Sequence, residues 1–306
     1  MVGQEFDRRS LMQGAAMLAG IALAPGVASA ATGATLPDLS DVKTRTTGKV
    51  ETLYKTPYFG PNGMWMTDEG MWIIHQIDEN QATLIDPENG KLIREIRCEG
   101  VFRASGICID EAGVMWIGST YNRLIVACDA KTGKVIDKYS TPGAGQIYAM
   151  KGDVKGNPTP LAPAYPPPPP SAPSGRSGAG KQKPGTAEGP AGTGAHCILP
   201  KGNLLYVDVP PARQIFAIDK ATWEVQLAFP TAGNRPHDMA WADAAKTRLW
   251  CSDSNMNAFF QHDAATGQIL ERVNLPEGSP VIHGAKLHKG YMYMCDDVGW
   301  MNRVRF

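Results

Sequence analysis

His196-Cys-Ile-Leu-Pro-Lys-Gly-Asn-Leu-Leu-Tyr-Val207 and His237-Asp-Met-Ala-Trp-Ala-Asp-Ala-Ala-Lys-Thr-Arg-Leu-Trp250 decide the fold. Each reads as a short apolar strand, a tight polar turn and a second apolar strand. The same pattern returns in Asn62 to Ile74, Ser105 to Ile117 and His283 to Tyr293. A third strand then ends in Ile85-Asp86, Cys128-Asp129, Ile218-Asp219 or His262-Asp263. A turn such as Ala130-Lys-Thr-Gly133 or Ala264-Ala-Thr-Gly267 follows it, and then a fourth strand such as Leu92 to Ile96 or Val135 to Tyr139. Four strands per repeat make a propeller blade, so the sequence predicts an all-β fold, a β-propeller.

The spacing agrees. Asn62 and Ser105 lie 43 residues apart, His196 and His237 41, and His237 and His283 46. The longer gap from Ser105 to His196 contains an insertion, residues 157–194, with five consecutive prolines from Pro166 to Pro170 and a Gly/Ser/Lys/Ala tract after them. Such a composition buries no core and reads as a disordered arm. Without it the gap holds one blade, not two, so five blades are expected. A sixth would need a degenerate unit around Ala144 to Gly156. The chain stops before the last blade has its fourth strand, and Lys49 to Tyr54 is the segment free to supply it and close the ring, which removes the open edges.

Composition bounds the function. Lys and Arg number 30 and Asp and Glu 30, so no polyanion-seeking surface is present and nucleic acid is not an expected partner. The six Cys form no CxxC pair, which leaves out zinc ribbons and thioredoxin-like redox sites. No GxSxG elbow, phosphate loop or HExxH occurs. Asp7-Arg-Arg-Ser-Leu-Met12, an apolar run from Gly14 to Ala24 and Ala28-Ser-Ala30 match a signal peptide of the twin-arginine type over residues 1–30. The run is too short for a membrane span. The expected mature domain is therefore 31–306, exported to the periplasm or beyond.

Arg235-Pro-His-Asp-Met-Ala-Trp241 and Ala82-Thr-Leu-Ile-Asp-Pro-Glu-Asn-Gly-Lys-Leu92 resemble blades of the NHL/YncE-like propeller superfamily, the group that contains virginiamycin B lyase and gluconolactonase-like hydrolases. The resemblance covers nearly all of the mature chain and is one of architecture. Members of the group usually have six or seven blades. It implies hydrolase or lyase chemistry by analogy only.

Asn62, Ser105, His196, His237 and His283 occupy one equivalent position, at the start of the innermost strand of each blade, where side chains converge on the propeller axis. Three imidazoles there suit a divalent transition metal (Zn, Fe or Cu), one per chain, held by His196, His237 and His283. A metal-free catalytic ring and a polar, water-filled channel are the alternatives. At the ends of the second strands stand His75, Ser119, Asp208, Asp253 and Asp296. His75, Asp208 and Asp253 are candidate catalytic groups, as bases or as partners that orient the histidines, although an Asp there also caps turns. Arg103 and Arg235, each two residues before a ring position, could clamp a carboxylate or sugar acid. With Asn62 and Ser105, and with Tyr148 from an aromatic rim that includes Tyr58, Phe59 and Tyr121, they are the candidate substrate-binding residues. The expected function is a metal-dependent lyase or lactonase-like hydrolase acting on a small polar or aromatic molecule. An Fe/Cu oxidoreductase is a variant of it. The alternative class is a non-catalytic propeller that meets a protein or cell-envelope partner, with the Pro-rich arm as its tether.

Overall fold

A computed structural model describes residues 34–77, 81–144 and 193–306. Two short strands come first, β1 (Thr44–Thr46) and β2 (Glu51–Lys55). Blade 1 is β3 (Pro61–Thr67), β4 (Gly70–His75), β5 (Gln81–Ile85) and β6 (Leu92–Arg97). Blade 2 is β7 (Gly106–Ile109), β8 (Val114–Ser119), β9 (Leu124–Asp129) and β10 (Val135–Ser140). Blade 3 is β11 (Cys197–Lys201), β12 (Leu204–Val209), β13 (Gln214–Asp219) and β14 (Val225–Pro230). Blade 4 is β15 (Pro236–Trp241), β16 (Arg248–Asp253), β17 (Ala258–Asp263) and β18 (Ile269–Asn274). Blade 5 is β19 (Gly284–His288), β20 (Tyr291–Cys295), β21 (Trp300–Arg305) and, as its outer strand, β2. The described residues thus form five four-stranded blades, and their inner strands β3, β7, β11, β15 and β19 meet in a closed ring.

Burial follows strand order. β4, with neighbouring blades on both faces, is buried at every position, whereas the outer strand β6 is mostly exposed. At the axis five inner strands crowd together, and three of them place glycine directly after the ring residue. A Cβ on Gly63 would strike the Ser105 carbonyl oxygen, and one on Gly284 the Asn62 carbonyl oxygen. One on Gly106 would lie 3.1 Å from the Cys197 Cα. The absence of side chains there lets the Gly63 N–H donate to the Ser105 carbonyl across the blade boundary at 2.6 Å.

Closure is as the sequence suggests, shifted by a residue or two: β2 pairs antiparallel with β21, with Glu51 opposite Arg303 and Lys55 opposite Trp300. The sequence did not reveal β1, which adds parallel to the outer edge of blade 4 and is tied there by Arg45 Nε to Glu271 Oε1 at 2.7 Å. Upstream, the Ala34 N–H donates to the Ala212 carbonyl of blade 3 at 2.8 Å, and Leu39 packs on Ala232, Ala258 and Phe260. The N-terminal arm therefore straps blades 3, 4 and 5 together.

The third-to-fourth-strand turns repeat one chemistry. Asp129 Oδ1 accepts from the N–H groups of Lys131 and Thr132 and from the Thr132 hydroxyl, and Asp263 Oδ1 does the same with Ala265 and Thr266. Gly90, Gly133 and Gly267 finish these turns at φ +74°, +72° and +77°. Blade 3 has Trp223 at that place, at φ +61°, a conformation that disfavours a bulky residue. Its ring stacks on Tyr139 of blade 2 with centroids 4.0 Å apart, and its indole N–H donates to the Ser140 carbonyl at 2.8 Å.

The expected signal peptide and Tyr148 lie outside the described residues, as does the Pro-rich arm except for its last two residues. These, Thr193 and Gly194, are buried, and the Gly194 N–H donates to the Thr120 carbonyl at 2.7 Å, so both belong to the folded domain and not to the expected arm. No helix among the described residues is long and apolar enough to cross a membrane.

Candidate functional site

The backbone shows that the ring positions are equivalent. The N–H groups of Ser105, His196 and His283 donate to the carbonyls of Gly118, Asp208 and Cys295, the same place in three second strands. In blades 1 and 4 the register between first and second strands shifts just there, between Pro61 and Met64 and between Pro236 and Met239. These irregularities carry Asn62 and His237 out of the regular ladder.

The five side chains meet in the order the alignment implies. Asn62 Nδ2 lies 3.4 Å from Ser105 Oγ, the His196 and His237 rings are 4.9 Å apart edge to face, and the His237 and His283 rings 4.2 Å. His283 Nδ1 lies 2.7 Å from the Pro61 carbonyl oxygen, beside Asn62. A carbonyl only accepts, so this contact fixes a proton on Nδ1. All five residues are buried.

This ring is short of partners. Both ring nitrogens of His196, Nδ1 of His237 and Oδ1 of Asn62 are buried without a hydrogen-bond partner. Burial lowers the His196 pKa to about 3, with the charges of Arg235 and His283 adding to the effect. Burial first, then His283, His196 and Arg235, hold His237 well below the usual imidazole value. Both imidazoles are neutral bases at pH 7. The positive charge of Arg235 therefore reaches the site, as its position two residues before His237 suggests. Arg103, at φ +46°, lies over the rings of Phe102 and Tyr121 at 5.7 and 5.4 Å.

The second-strand candidates do not gather on the imidazoles. His75 Nε2 meets Thr83 Oγ1 of the next strand at 2.9 Å and its ring stands edge-on to Tyr58; burial lowers its pKa to about 4. Asp253 gives Oδ1 to the N–H groups of Asn255 and Met256 and Oδ2 to that of Arg235, all at 2.9 Å, which is the turn-capping role. Asp296 likewise caps Val298 and Trp300.

Asp208 is one residue out of phase with the others. Pro61 pairs with His75 and Pro236 with Asp253, but Asp208 pairs with Cys197, the residue after the ring histidine. Its Oδ1 accepts from the Cys197 N–H while Oδ2 is buried without a partner. Burial, and then the Asp238 carboxylate, keep its proton affinity well above the ordinary carboxylate range.

Gln76, beside His75 at the end of the second strand, donates from Nε2 to Ser105 Oγ at 2.8 Å and so joins the ring. One feature escaped the sequence. In the layer after the ring, Asp238 stands where blades 1, 2 and 5 have glycine. Its carboxylate crosses the vacant space to the N–H groups of Ala285 at 2.7 Å and Met64 at 3.3 Å, joining three blades at the axis. Lys286 is buried close by, its Nζ donating to the Met239 carbonyl at 2.6 Å and lying over the Trp65 ring. At the rim, Phe59, Val298 and Trp300 are exposed, and the Thr56 hydroxyl holds their loops together through the Tyr58 and Gly299 carbonyls.

The donor set suits a transition metal in type, with neutral imidazoles, orphaned nitrogens and one ring oriented by a backbone carbonyl. As the side chains stand, no three His, Cys, Asp or Glu among the described residues are arranged to hold a metal ion. The His196 and His237 rings would have to turn to do so.

No protein-family profile and no curated sequence matches the chain. Among solved structures it is similar to glutaminyl cyclase from Myxococcus xanthus, at 8% identity and a TM-score of 0.55, over 86% of this chain and 97% of that one. It is also similar to virginiamycin B lyase from Staphylococcus aureus, at 15% identity and a TM-score of 0.46, over 84% and 99%. At these identities the likeness is one of propeller architecture.

Proposed function

We propose that the protein is an exported propeller enzyme whose active site is the axial ring, acting as a lyase or hydrolase on a small polar or aromatic molecule. The observation that carries this is the set of four buried polar atoms without partners, on His196, His237 and Asn62. Each such atom costs about 1–3 kcal/mol when nothing fills its hydrogen-bonding capacity. Buried polar atoms lack partners elsewhere too, on His75, Asp208 and His262 among others, but the ring gathers four of them at one axis, where a bound group would satisfy them together.

The residues supply distinct functions. His196 and His237, neutral and shielded from water, accept a proton from a bound molecule. The Arg235 charge beside them favours an anionic or strongly polarised group. Asn62, with Nδ2 facing Ser105, presents its Oδ1 to a donor. In place of this base role, the imidazoles of His196, His237 and His283 would hold a divalent transition metal, the cofactor that fits the donor types; when bound, it would polarise a carbonyl. In the metal-free ring the base is assigned to a ring imidazole: Asp253 has both carboxylate oxygens engaged in its turn, and His75 Nε2 is held by Thr83 Oγ1, although its Nδ1 has no partner. Lactones and esters are the first substrates to screen, joined by glutaminyl compounds because of the glutaminyl cyclase that is similar in fold.

Elemental analysis of the mature protein, with His196, His237 and His283 each replaced by alanine, tests the reading. About one transition-metal ion per chain, lost in all three variants, supports it in full. Metal-free protein whose turnover of a screened substrate depends on His237 supports the ring without the metal. No metal, no turnover and unchanged folding in every variant would overturn it in favour of a non-catalytic propeller.

A further inference from the structure

Four of the six cysteines sit in the inner or second strands near the axis, and three of those thiols have backbone partners. Cys197 Sγ contacts the Met239 carbonyl oxygen at 3.7 Å, Cys251 Sγ the Ser252 oxygen at 3.7 Å, and Cys295 Sγ the Asn62 oxygen at 3.2 Å. The other two, Cys98 and Cys128, face each other. Cys98 directly follows β6, the outer strand of blade 1, and Cys128 lies in β9, the third strand of blade 2. Both are buried in one apolar cluster between these blades, with the Cys98 thiol near enough to raise the proton affinity of Cys128. The turn of blade 2 is locked against the same segment, since a Cβ on Gly133 would strike the carbonyl oxygen of Arg97, the residue before Cys98. The segments that carry the two sulfurs are thus packed directly against each other across the blade boundary.

We propose that Cys98 and Cys128 form a disulfide bridge between blades 1 and 2 when the protein meets an oxidising environment, leaving the other four thiols reduced. The reaction is exchange with a disulfide oxidant. One thiolate attacks the oxidant and expels half of it, the second displaces the other half from the mixed disulfide, and the two thiol protons pass to the two departing sulfurs. The S–S bond of the oxidant is replaced by the one in the protein, and the two electrons leave in the two thiols of the reduced oxidant. Cys98 starts the exchange. It retains 7% exposure where Cys128 has none, and the contact with Cys98, together with burial, holds the Cys128 thiol proton far more tightly than usual. The bridge would close a loop of some thirty residues and add a covalent link between two neighbouring blades, a constraint on the unfolded chain. It is independent of the reading given to the axial ring.

The test uses the whole mature chain, incubated with oxidised glutathione and then denatured, alkylated and mapped by mass spectrometry without reduction. The expected result is a linked pair of peptides containing Cys98 and Cys128, four alkylated cysteines, and a melting temperature that falls on adding a reductant. In Cys98→Ser the reductant should have no such effect. Six alkylatable cysteines after oxidation, glutathione retained on Cys98, or a link between any other pair would overturn the proposal. The peptide map needs no variant, so poor folding of a substituted chain cannot obscure the answer.

Discussion

The two ends of each blade treat polar atoms in opposite ways. At the third-to-fourth-strand turns, Asp129 and Asp263 each collect three donors on a single oxygen, and these bonds lower their pKa values. At the axial ring, His196 has no partner for either nitrogen, although it is buried and the aspartates are open to water. These exposed carboxylates are saturated, while four buried polar atoms of the ring lack partners; His262 Nε2, buried on the turn side, is an exception. The contrast separates what holds the blades together from what the fold keeps available for a ligand.

The largest expected effect is at the ring. His237→Ala should reduce metal affinity or turnover by about 100-fold or more, since even an outer partner of a metal ligand is worth about 10–100-fold. Its melting temperature should be unchanged or higher, because the variant removes an orphaned polar group. A clear loss of stability with activity retained would place the ring on the structural side of the comparison.

His262 is an imidazole on the turn side. Its Nδ1 meets the Gly267 carbonyl oxygen at 3.1 Å, and burial lowers its pKa to about 4. The folded value lies below that of the unfolded chain, so its contribution is complete above pH 6.5 and is lost as pH falls from there through 4. On the order of 2–3 kcal/mol should disappear over that window. Urea denaturation at pH 7 and pH 4.5 should show a smaller acid-induced loss in His262→Gln than in the parent; equal losses would mean that His262 is not buried neutral.

Trp223 breaks the turn pattern, and its replacement sharpens the contrast within one class of turn. Trp223→Gly relieves a left-handed conformation worth about 1–3 kcal/mol, but removes a buried aromatic worth about 3–5 kcal/mol. The net loss should be about 2 kcal/mol, read as a lower denaturation midpoint with turnover unaffected. A gain would show that the stack on Tyr139 contributes less than the strain costs. The smallest effect belongs to Asp263→Ala, expected to lower the melting temperature by roughly 2–4 °C, the size of a lost cap in a chain of this length. Bound metal and activity should not change.

Much of this was legible in the sequence because propeller blades are local. Four strands joined by short turns repeat their apolar alternation and turn residues within some forty positions, so the alignment found the blades, the closing strand and the five ring positions. The aspartate-capped turns were equally plain, since an Asp followed by Thr and Gly bonds to its own neighbours. Position along a strand was also enough to bring Asn62, Ser105 and the three histidines together, because the starts of inner strands can only meet at the axis.

What only the tertiary structure decided depends on register and on neighbours distant in sequence. Asp208 looked equivalent to Asp253, but it lies one residue out of phase, and a one-residue step in a strand reverses the direction of a side chain. The ring irregularities after Pro61 and Pro236 leave no mark in the alternation. The β1 strap on blade 4, the reach of Asp238 across two glycine blades and the meeting of Cys98 with Cys128 join segments that no local pattern connects. Short-range periodicity sets where each strand begins and ends. Which atoms then face each other across the blades is fixed by how the five sheets pack around one axis.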